Sequence, residues 1–287
     1  MAIRSIRSVG GVVLPLLGLG TWRMGEDRAQ RTAEVAAVRT ALALGYRLID
    51  TAEMYGEGES ERIVGEALGV ALREGQVRRD ELSIVSKVYP HNATRTGVRA
   101  ACARSRQRLG LDRIDIYLLH WRGGVPLAET IDALQREVAT GSIGAWGVSN
   151  FDLADLDEVL GLQGSGPPCV LNQVHHSIAA RGVEFDLLPR QRELGMALMA
   201  YSPIDQGAIA RHPALAALAA RRDASAAQFA LARLLAQPGV VAIPKAVTPE
   251  HLRANLAAAT LQLDADEIEA IDRLFPPPRR AVPLSVL

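Results

Sequence analysis

The sequence predicts an α/β protein built as one (β/α)8 barrel, a TIM barrel, and three observations carry this prediction. Eight short β-rich runs alternate with longer amphipathic segments, which is typical of parallel βα units. The 287 residues suit one such barrel with modest additions. Most of the predicted strands also end in a polar or ionisable residue. We therefore predict a single barrel domain over residues 1–287, of which 275–287 form a short C-terminal tail.

The predicted strands are short runs rich in β-branched and other apolar residues. In chain order they are Leu17–Gly20, Leu48–Asp50, Leu82–Lys87, Asp115–His120, Ile143–Ser149, Val170–Val174, Met196–Tyr201 and Val240–Pro244. Ahead of the first strand, Ile6–Val9 and Val12–Leu14 flank Gly10-Gly11 and predict a β-hairpin. We expect this N-terminal hairpin to close the bottom of the barrel, where the strands begin.

The predicted helices follow the strands and carry apolar residues at helical spacing. In chain order they are Ala29–Leu44, Ser60–Leu72, Thr94–Leu109, Pro126–Thr140, Asp152–Leu160, Glu184–Leu194, Ala214–Leu235 and Pro249–Ala259. Pro126, Pro213 and Pro249 suit a first helical turn, and Ser60 is predicted to cap the second helix. The stretch 161–168 is rich in glycine and proline, and because the strand count continues through it we predict a loop there.

Composition argues against several classes of partner. Lys+Arg and Asp+Glu both total 32, so the net charge is zero and no global field favours nucleic acid or an acidic membrane. No apolar stretch approaches the ~18 residues of a membrane span, and no signal peptide is evident. Cys102 and Cys169 lie far apart without metal-ligand spacing, which predicts buried thiols, a cytoplasmic protein and no metal site. We expect a monomer with a small-molecule partner.

The polar strand ends are the candidate functional residues, because chemistry in such barrels lies at the C-terminal ends of the strands. These ends are Asp50, Lys87, His120-Trp121, Ser149-Asn150, Asn172-Gln173, Tyr201-Ser202 and Pro244-Lys245. Solvent exposure alone explains some of them one by one, but it does not explain their types. Among the 32 cationic side chains only Lys87 and Lys245 are lysines, and both lie at this end. A biased codon supply explains most of the lysine deficit but not where these two remain.

A set of acid–base side chains forms at this end when Tyr55, five residues after Asp50, is included. A lysine beside a tyrosine can lower the pKa of the phenol from ~10 towards the working range, which makes it a proton donor to a carbonyl oxygen. We expect Asp50 to hold Lys87 charged and in place. A neutral His120 would orient or polarise the same oxygen.

Eight motifs span nearly the whole chain. They are Gly18-Leu-Gly-Thr-Trp22, Asp50-Thr-Ala-Glu-Met-Tyr-Gly56, Ile84-Val-Ser-Lys87, Tyr117-Leu-Leu-His120, Gly147-Val-Ser-Asn-Phe151, Asn172-Gln-Val174, Ala200-Tyr-Ser-Pro203 and Ile243-Pro-Lys245. In this order and spacing they resemble the aldo-keto reductase family. The resemblance implies a barrel enzyme that reduces aldehydes and ketones to alcohols by hydride transfer from nicotinamide C4 of NADPH, with a proton from Tyr55. The family's catalytic tetrad maps onto Asp50, Tyr55, Lys87 and His120.

The resemblance also implies which residues hold the cofactor and the substrate. The cofactor contacts map onto Gly20, Thr21, Trp22, Asp50, Ser149, Asn150, Gln173, Tyr201, Ser202, Pro203, Ile204, Gln206, Gly207, Ile243, Pro244, Lys245, Ala246, Val247, Thr248, His251 and Asn255. The substrate pocket maps onto Trp22, Tyr55, His120 and Trp121. No GxGxxG motif follows a predicted strand, so the sequence predicts no Rossmann crevice.

One departure from the family pattern follows Lys245. The family's usual grip on the adenosine 2′-phosphate is a Lys-Ser pair followed by an Arg, whereas this chain has Ala246 and His251 at the Ser and Arg positions. A hydroxyl donor and a permanent guanidinium fork are therefore missing, and a histidine with a reference pKa of ~6.5 replaces the fork poorly at neutral pH. We predict NADPH as the cofactor, with measurable use of NADH.

Two alternatives remain beside the reductase. The same fold resembles the β-subunits of potassium channels, so a cofactor-binding, redox-sensing regulatory subunit with little turnover is one of them. The intact tetrad argues against it. A barrel hydrolase is the other, but it needs carboxylates at two strand ends, and only Asp50 lies there.

The remaining expectations concern the pocket and the other titratable residues. The short tail predicts an open pocket for varied small or aromatic aldehydes, and the ending from Phe275 resembles bacterial family members described as methylglyoxal reductases. We expect Glu53 to be a solvated loop residue. His175 and His176 are expected to serve packing, because neighbours on a strand point to opposite faces and do not share one metal ion.

Overall fold

The computed structural model describes residues 3–287 and confirms the barrel. Ser5–Arg7 (β1) pairs antiparallel with Val13–Pro15 (β2) to form the predicted hairpin. The barrel strands are Leu19–Gly20 (β3), Leu48–Asp50 (β4), Ser83–Val88 (β5), Ile114–Leu119 (β6), Ile143–Ser149 (β7), Cys169–His175 (β8), Ala197–Tyr201 (β9) and Val240–Ala242 (β10). Each barrel strand pairs in parallel with the next one along the chain.

The strands alternate with α-helices as the sequence predicted. The helices are Arg31–Leu44 (α1), Glu59–Arg73 (α2), Arg95–Leu109 (α3), Leu127–Ala139 (α4), Leu153–Leu162 (α5), Leu187–Glu193 (α6), Pro213–Ala220 (α7), Ala226–Leu235 (α8), Pro249–Ala258 (α9) and Ala265–Leu274 (α10). No helix within residues 3–287 is long and apolar enough to cross a membrane.

The first and last barrel strands meet and close the sheet. Leu17 bridges Ala242, and Gly20 bridges Lys245. The Gly18 N–H donates to the Ala242 carbonyl at 2.9 Å, and the Ala242 N–H donates to the Leu16 carbonyl at 2.8 Å. A Cβ on Gly20 would lie 2.5 Å from the Ile243 carbonyl oxygen, so only glycine permits this approach of the two backbones.

Apolar side chains fill the inside of the barrel below the strand ends. Leu48, Val85, Leu118 and Met199 are buried there, and Leu14 of the hairpin packs against the same cluster. Burying one such side chain contributes about 1.5–3 kcal/mol. This layer therefore supports the strand ends on a close-packed base, and the hairpin covers the bottom as predicted.

The structure corrects the prediction of one long helix over Ala214–Leu235. The chain breaks it into α7 and α8 at a turn in which Asp223 has a left-handed φ of 50°. Ser225 begins α8, and its side chain and that of Gln228 form a reciprocal capping box. The helix α10 was not predicted, although Asp264 and Glu267 form the same kind of box at its start.

The structure also corrects the prediction that Ser60 caps the second helix. The residue before α2 is Gly58, with a left-handed φ of 89°, and no side chain caps that end. Ser60 lies in the first turn instead, where its hydroxyl donates to Thr21 Oγ1 at 2.8 Å and lies 3.1 Å from Thr51 Oγ1. These buried hydroxyls tie the loop after β3 to the loop after β4.

Candidate active site

The C-terminal ends of the barrel strands surround a cavity of about 480 Å³. Most of the residues mapped from the family line it, and they lie at or just after the ends of seven of the eight barrel strands. The mapped residues at the cavity are Gly20, Trp22, Asp50, Tyr55, His120, Trp121, Ser149, Asn150, Gln173, Tyr201, Ser202, Pro203, Ile204, Gln206, Gly207, Ile243, Pro244 and Lys245. The predicted location of the site at this end of the barrel therefore agrees with the structure.

Lys87 lies at the base of the cavity and organises its neighbours. Its ammonium Nζ donates to Asp50 Oδ2 at 2.8 Å, to the Thr51 carbonyl at 2.9 Å and to the Tyr55 hydroxyl at 3.2 Å. Lys87 is fully buried, Asp50 is 2% exposed and Tyr55 is 8% exposed. All three donors of the ammonium are thus used, so the lysine is fixed in position.

Gln173 of β8 binds the second oxygen of the Asp50 carboxylate. Its Nε2 donates to Asp50 Oδ1 at 2.7 Å and lies 3.0 Å from the sulfur of Met199. Both oxygens of the Asp50 carboxylate therefore have a partner. Separating Lys87 from Asp50 would leave a buried carboxylate without its cation. The pair therefore behaves as one rigid unit.

Burial controls the proton affinities of these groups. It lowers the pKa of Lys87, opposed by the charge of Asp50, and it raises the pKa of Asp50, opposed by Lys87 and the Gln173 hydrogen bond. Burial and the charge of Asp50 hold the pKa of Tyr55 well above 10. The expected lowering of the Tyr55 pKa is therefore absent here. The phenol stays protonated at neutral pH and has a proton to give.

His120 faces the tyrosine across the cavity. The two rings have centroids 5.7 Å apart and meet edge to face, at 73°. Burial and the Lys87 charge hold the pKa of His120 well below 6.5, so the imidazole is neutral at pH 7. Its Nδ1 is buried and has no hydrogen-bond partner among the described residues. The ring is thus held by packing, also against Trp121 at 4.9 Å, and keeps unused hydrogen-bonding capacity.

Hydroxyl and amide groups form the next part of the wall. Ser149 Oγ donates to the Gln173 carbonyl at 2.8 Å, and Asn150 Nδ2 donates to the His120 carbonyl at 3.2 Å. The Tyr201 hydroxyl donates to Asn150 Oδ1 at 2.9 Å. Asn150 has a left-handed φ of 60°, a strained conformation that surrounding contacts must maintain.

Matches with known proteins agree with this geometry. The family model described as "Aldo/keto reductase family" matches residues 16–275. The chain belongs to the aldo/keto reductase family. It is 42% identical over 292 residues to a methylglyoxal reductase, YeaE, of Escherichia coli (strain K12), covering 100% of both chains.

Solved aldo-keto reductases share the architecture. An aldo-keto reductase from Klebsiella pneumoniae in complex with NADPH has a TM-score of 0.91 and 40% identity, with 100% of both chains covered. A thermostable aldo-keto reductase in complex with the inhibitor epalrestat has a TM-score of 0.88 and 37% identity, covering 95% of this chain and all of the other. The predicted family, barrel fold and class of enzyme are confirmed.

Several residues mapped from the aldo-keto reductase family lie beside the cavity rather than on it. Thr21 is fully buried and donates to the Asp50 carbonyl at 2.9 Å. Ala246 is buried, Val247 is exposed, and Thr248 caps α9 by accepting from the His251 N–H. Asn255 is buried in α9. Their roles in this aldo-keto reductase stay predictions.

The structure also places residues at the cavity that the sequence did not indicate. Arg23 and Met54 line it, and the Arg23 guanidinium lies 4.5 Å from the centre of the Trp22 ring. Val286 and Leu287 of the tail line it as well. The short tail therefore forms part of the cavity wall, and the predicted open pocket for varied aldehydes stays a prediction. No periodicity or motif marks these tail residues.

Glu53 is another correction, because it is buried rather than solvated. It is 7% exposed, and its Oε1 accepts from the Tyr89 N–H at 2.8 Å and from Asn92 Nδ2 at 3.0 Å. Arg104 contributes an ion pair at 3.3 Å. Glu53 thereby fixes the loop that carries Tyr55 to the loop after β5. The expected packing role of His175 and His176 is also incomplete, because both rings form hydrogen bonds: His175 with Asp205 and Ser285, and His176 with the Ala180 carbonyl.

Proposed function

We propose that this aldo-keto reductase reduces small aldehydes and ketones to alcohols with NADPH. The observation that supports this most directly is the buried Asp50–Lys87–Tyr55 chain of hydrogen bonds, which ends at the cavity opposite a neutral His120. Such a chain delivers a proton at one point while excluding water around it. All four acid–base side chains are present and assembled, which argues against the regulatory-subunit alternative.

The residues around the cavity fit a nicotinamide cofactor. Ser149, Asn150 and Gln173 offer hydroxyl and amide groups that match the donor and acceptor of a carboxamide, and Tyr201 offers a flat ring. Lys245 supplies a cation at the rim for a phosphate. Within residues 3–287 the Nδ1 of His120 has no hydrogen-bond partner, and this atom and the strained Asn150 also support a wall that binds a ligand. When bound, NADPH supplies the hydride.

Each residue of the tetrad then has a separate task. The Tyr55 hydroxyl gives its proton to the carbonyl oxygen, and the Lys87 ammonium, 3.2 Å away, stabilises the phenolate that forms. Asp50 keeps Lys87 charged and oriented despite its burial. The neutral His120 polarises the carbonyl and positions it opposite Tyr55.

Substitution of Tyr55 tests this assignment. Tyr55→Phe removes the proton donor and leaves the ring, so we expect kcat to fall by roughly 10²–10⁴-fold, the usual contribution of a general acid. NADPH affinity should stay within about threefold, since the hydroxyl is not assigned to the cofactor. NADPH consumption with a reactive aldehyde and quenching of tryptophan fluorescence measure the two quantities. Reduction at the wild-type rate in this variant would refute the assignment.

We also propose that the substrates include short aldehydes such as methylglyoxal. The support is the similarity over the full chain to a protein named methylglyoxal reductase. Trp22, Trp121 and the tail residue Val286 give the cavity an apolar wall against which the carbon chain of such an aldehyde can pack.

A cytoplasmic monomer with no nucleic-acid partner completes the proposal. Cys102 and Cys169 are free and buried, and burial raises the pKa of each thiol to about 12. Unreactive reduced thiols suit a reducing compartment. The net charge of zero gives no attraction to polyanions.

A further inference from the structure

His175, the last residue of β8, joins two separate segments at the edge of the cavity. Its Nε2 lies 2.9 Å from Asp205 Oδ1, and its Nδ1 lies 2.9 Å from Ser285 Oγ. Ser177 Oγ donates to the other carboxylate oxygen, Asp205 Oδ2, at 2.8 Å. The His175 ring is only 5% exposed and is therefore shielded from water, whereas Asp205 is partly exposed and Ser285 is exposed.

The direction of these hydrogen bonds follows from their chemistry. An ionised carboxylate only accepts, so Nε2 of His175 must carry a proton and donate to Asp205. In the neutral ring Nδ1 then accepts from the Ser285 hydroxyl. Both bonds are satisfied at once in a single tautomer, which makes the ring a rigid connector.

The same ring supports the candidate nicotinamide platform. The rings of His175 and Tyr201 are stacked, with centroids 5.6 Å apart and planes inclined by 18°. The Leu287 N–H in turn approaches the Tyr201 hydroxyl at 3.4 Å. The tail is thus attached at two points, through Ser285 and through Leu287, and Val286 and Leu287 line the cavity.

Asp205 belongs to a strained segment on the cofactor side. Ser202, Asp205 and Gln206 have left-handed φ angles of 47°, 45° and 51°. Each such residue costs of order 1–3 kcal/mol, so the conformation persists only where other contacts maintain it. The bonds from His175 and Ser177 are those contacts for Asp205, and they also occupy both oxygens of a carboxylate that would otherwise repel a phosphate.

We propose that His175 is a positioning residue that fixes two walls of the active site: the cofactor-side segment Ser202–Gly207 through Asp205, and the tail segment 285–287 through Ser285. This inference rests on the proposed NADPH-dependent carbonyl reduction, because it assigns one wall to the cofactor and the other to the carbonyl compound. His175 itself does not touch the reacting atoms.

Three single variants of the full chain separate the two walls. Of the two walls, Ser177→Ala weakens the one held through Asp205, although it also removes the acceptor of the Ala179 and Ala180 N–H groups in the turn after β8. Ser285→Ala weakens the attachment of the tail, and His175→Leu weakens both walls. The NADPH dissociation constant is measured by tryptophan fluorescence. Amide hydrogen exchange of residues 280–287 is followed with NADPH bound. KM and kcat are measured for a small and for a bulky aromatic aldehyde.

We expect Ser177→Ala to raise the NADPH dissociation constant by about tenfold, the effect of one charge-assisted hydrogen bond, with tail exchange unchanged. Ser285→Ala should accelerate tail exchange by about tenfold and lower KM for the bulky aldehyde several-fold, with the NADPH dissociation constant within about twofold. His175→Leu should show both changes.

Three outcomes would overturn the role of His175. In the first, His175→Leu changes neither the NADPH dissociation constant nor tail exchange. In the second, each serine variant changes both quantities equally, which would indicate general loosening. In the third, His175→Leu does not fold and neither serine variant affects its own wall. If none of the tested aldehydes supported NADPH oxidation by the wild-type protein, the proposed function would be contradicted instead. The binding and exchange measurements would still decide the role of His175.

Discussion

The two lysines of the chain stand in opposite surroundings. Lys87 is fully buried, and its three ammonium donors are bonded to Asp50, Thr51 and Tyr55. Lys245 lies at the exposed rim and has no ion-pair partner among residues 3–287. We call the part of the site formed by Asp50, Lys87, Tyr55 and His120 the catalytic end. Its hydrogen bonds are in place before any ligand binds, whereas the charge of Lys245 at the rim stays available for a ligand. Preorganisation is needed where a proton moves, and an uncommitted cation is needed where a phosphate binds.

The largest effects on stability and activity are expected when the charge of each lysine is removed in turn. Lys87→Met leaves the Asp50 carboxylate buried without its cation, so we expect the free energy of unfolding to fall by about 3–5 kcal/mol and kcat to fall by more than ~10²-fold. Lys245→Met is the matched control. It should change the free energy of unfolding by less than about 1 kcal/mol and act mainly on the KM for NADPH.

Urea unfolding and steady-state kinetics measure these effects. Equal losses of stability in the two variants would show that the catalytic end is no more preorganised than the rim. A kcat preserved in Lys87→Met would show that the lysine does not support Tyr55.

The pH dependence of stability tests how far the catalytic end is shielded from water. Burial keeps the pKa of His120 well below 6.5, so the unfolded chain binds a proton there in a pH range where the folded chain does not. The free energy of unfolding therefore falls as the pH falls from ~6.5 towards the lowered pKa. His120→Gln should reduce the loss of stability between about pH 7 and pH 5 by up to ~2 kcal/mol.

A matched variant away from the cavity is His176→Gln. Burial lowers the pKa of His176 to about 4, and its Nδ1 lies 3.2 Å from the Ala180 carbonyl. This substitution should reduce the acid sensitivity by a similar amount without affecting kcat. If His120→Gln unfolds with the pH dependence of the wild type, the imidazole at the catalytic end is not held neutral by burial.

The smallest effects are expected at the rim. Ala246→Ser with His251→Arg restores the hydroxyl and the guanidinium of the family pattern. We expect the preference for NADPH over NADH to rise by about tenfold or more, with an unchanged melting temperature, because both positions lie away from the catalytic end. Cofactor titrations of wild type and variant measure this. A wild type that already favours NADPH by more than ~1000-fold would contradict the predicted use of NADH.

The sequence predicted the parts of the molecule that local pattern controls. Strand ends such as Asp50 and Lys87 follow from where each apolar run stops, and the motifs indicated the four acid–base side chains that the structure brings together. Contacts between distant segments leave no such trace. Ser285 meets His175, and Glu53 meets Arg104, only through the folded backbone. The break between α7 and α8 was missed because alanine- and leucine-rich segments flank it on both sides, although Arg221-Arg222-Asp223 interrupts them and Ser225 and Gln228 form a recognisable cap.

The closure of the barrel has a consequence for how activity arises during synthesis. Gly20 and Lys245 come from opposite ends of the sequence and form the seam between the first and last strands. A nascent chain that has not yet released its final strand has an open sheet, and Lys245 cannot reach the rim. Pairing between such distant segments is slow compared with local structure formation. We therefore expect this seam, and with it the complete mouth of the cavity, to form late in folding.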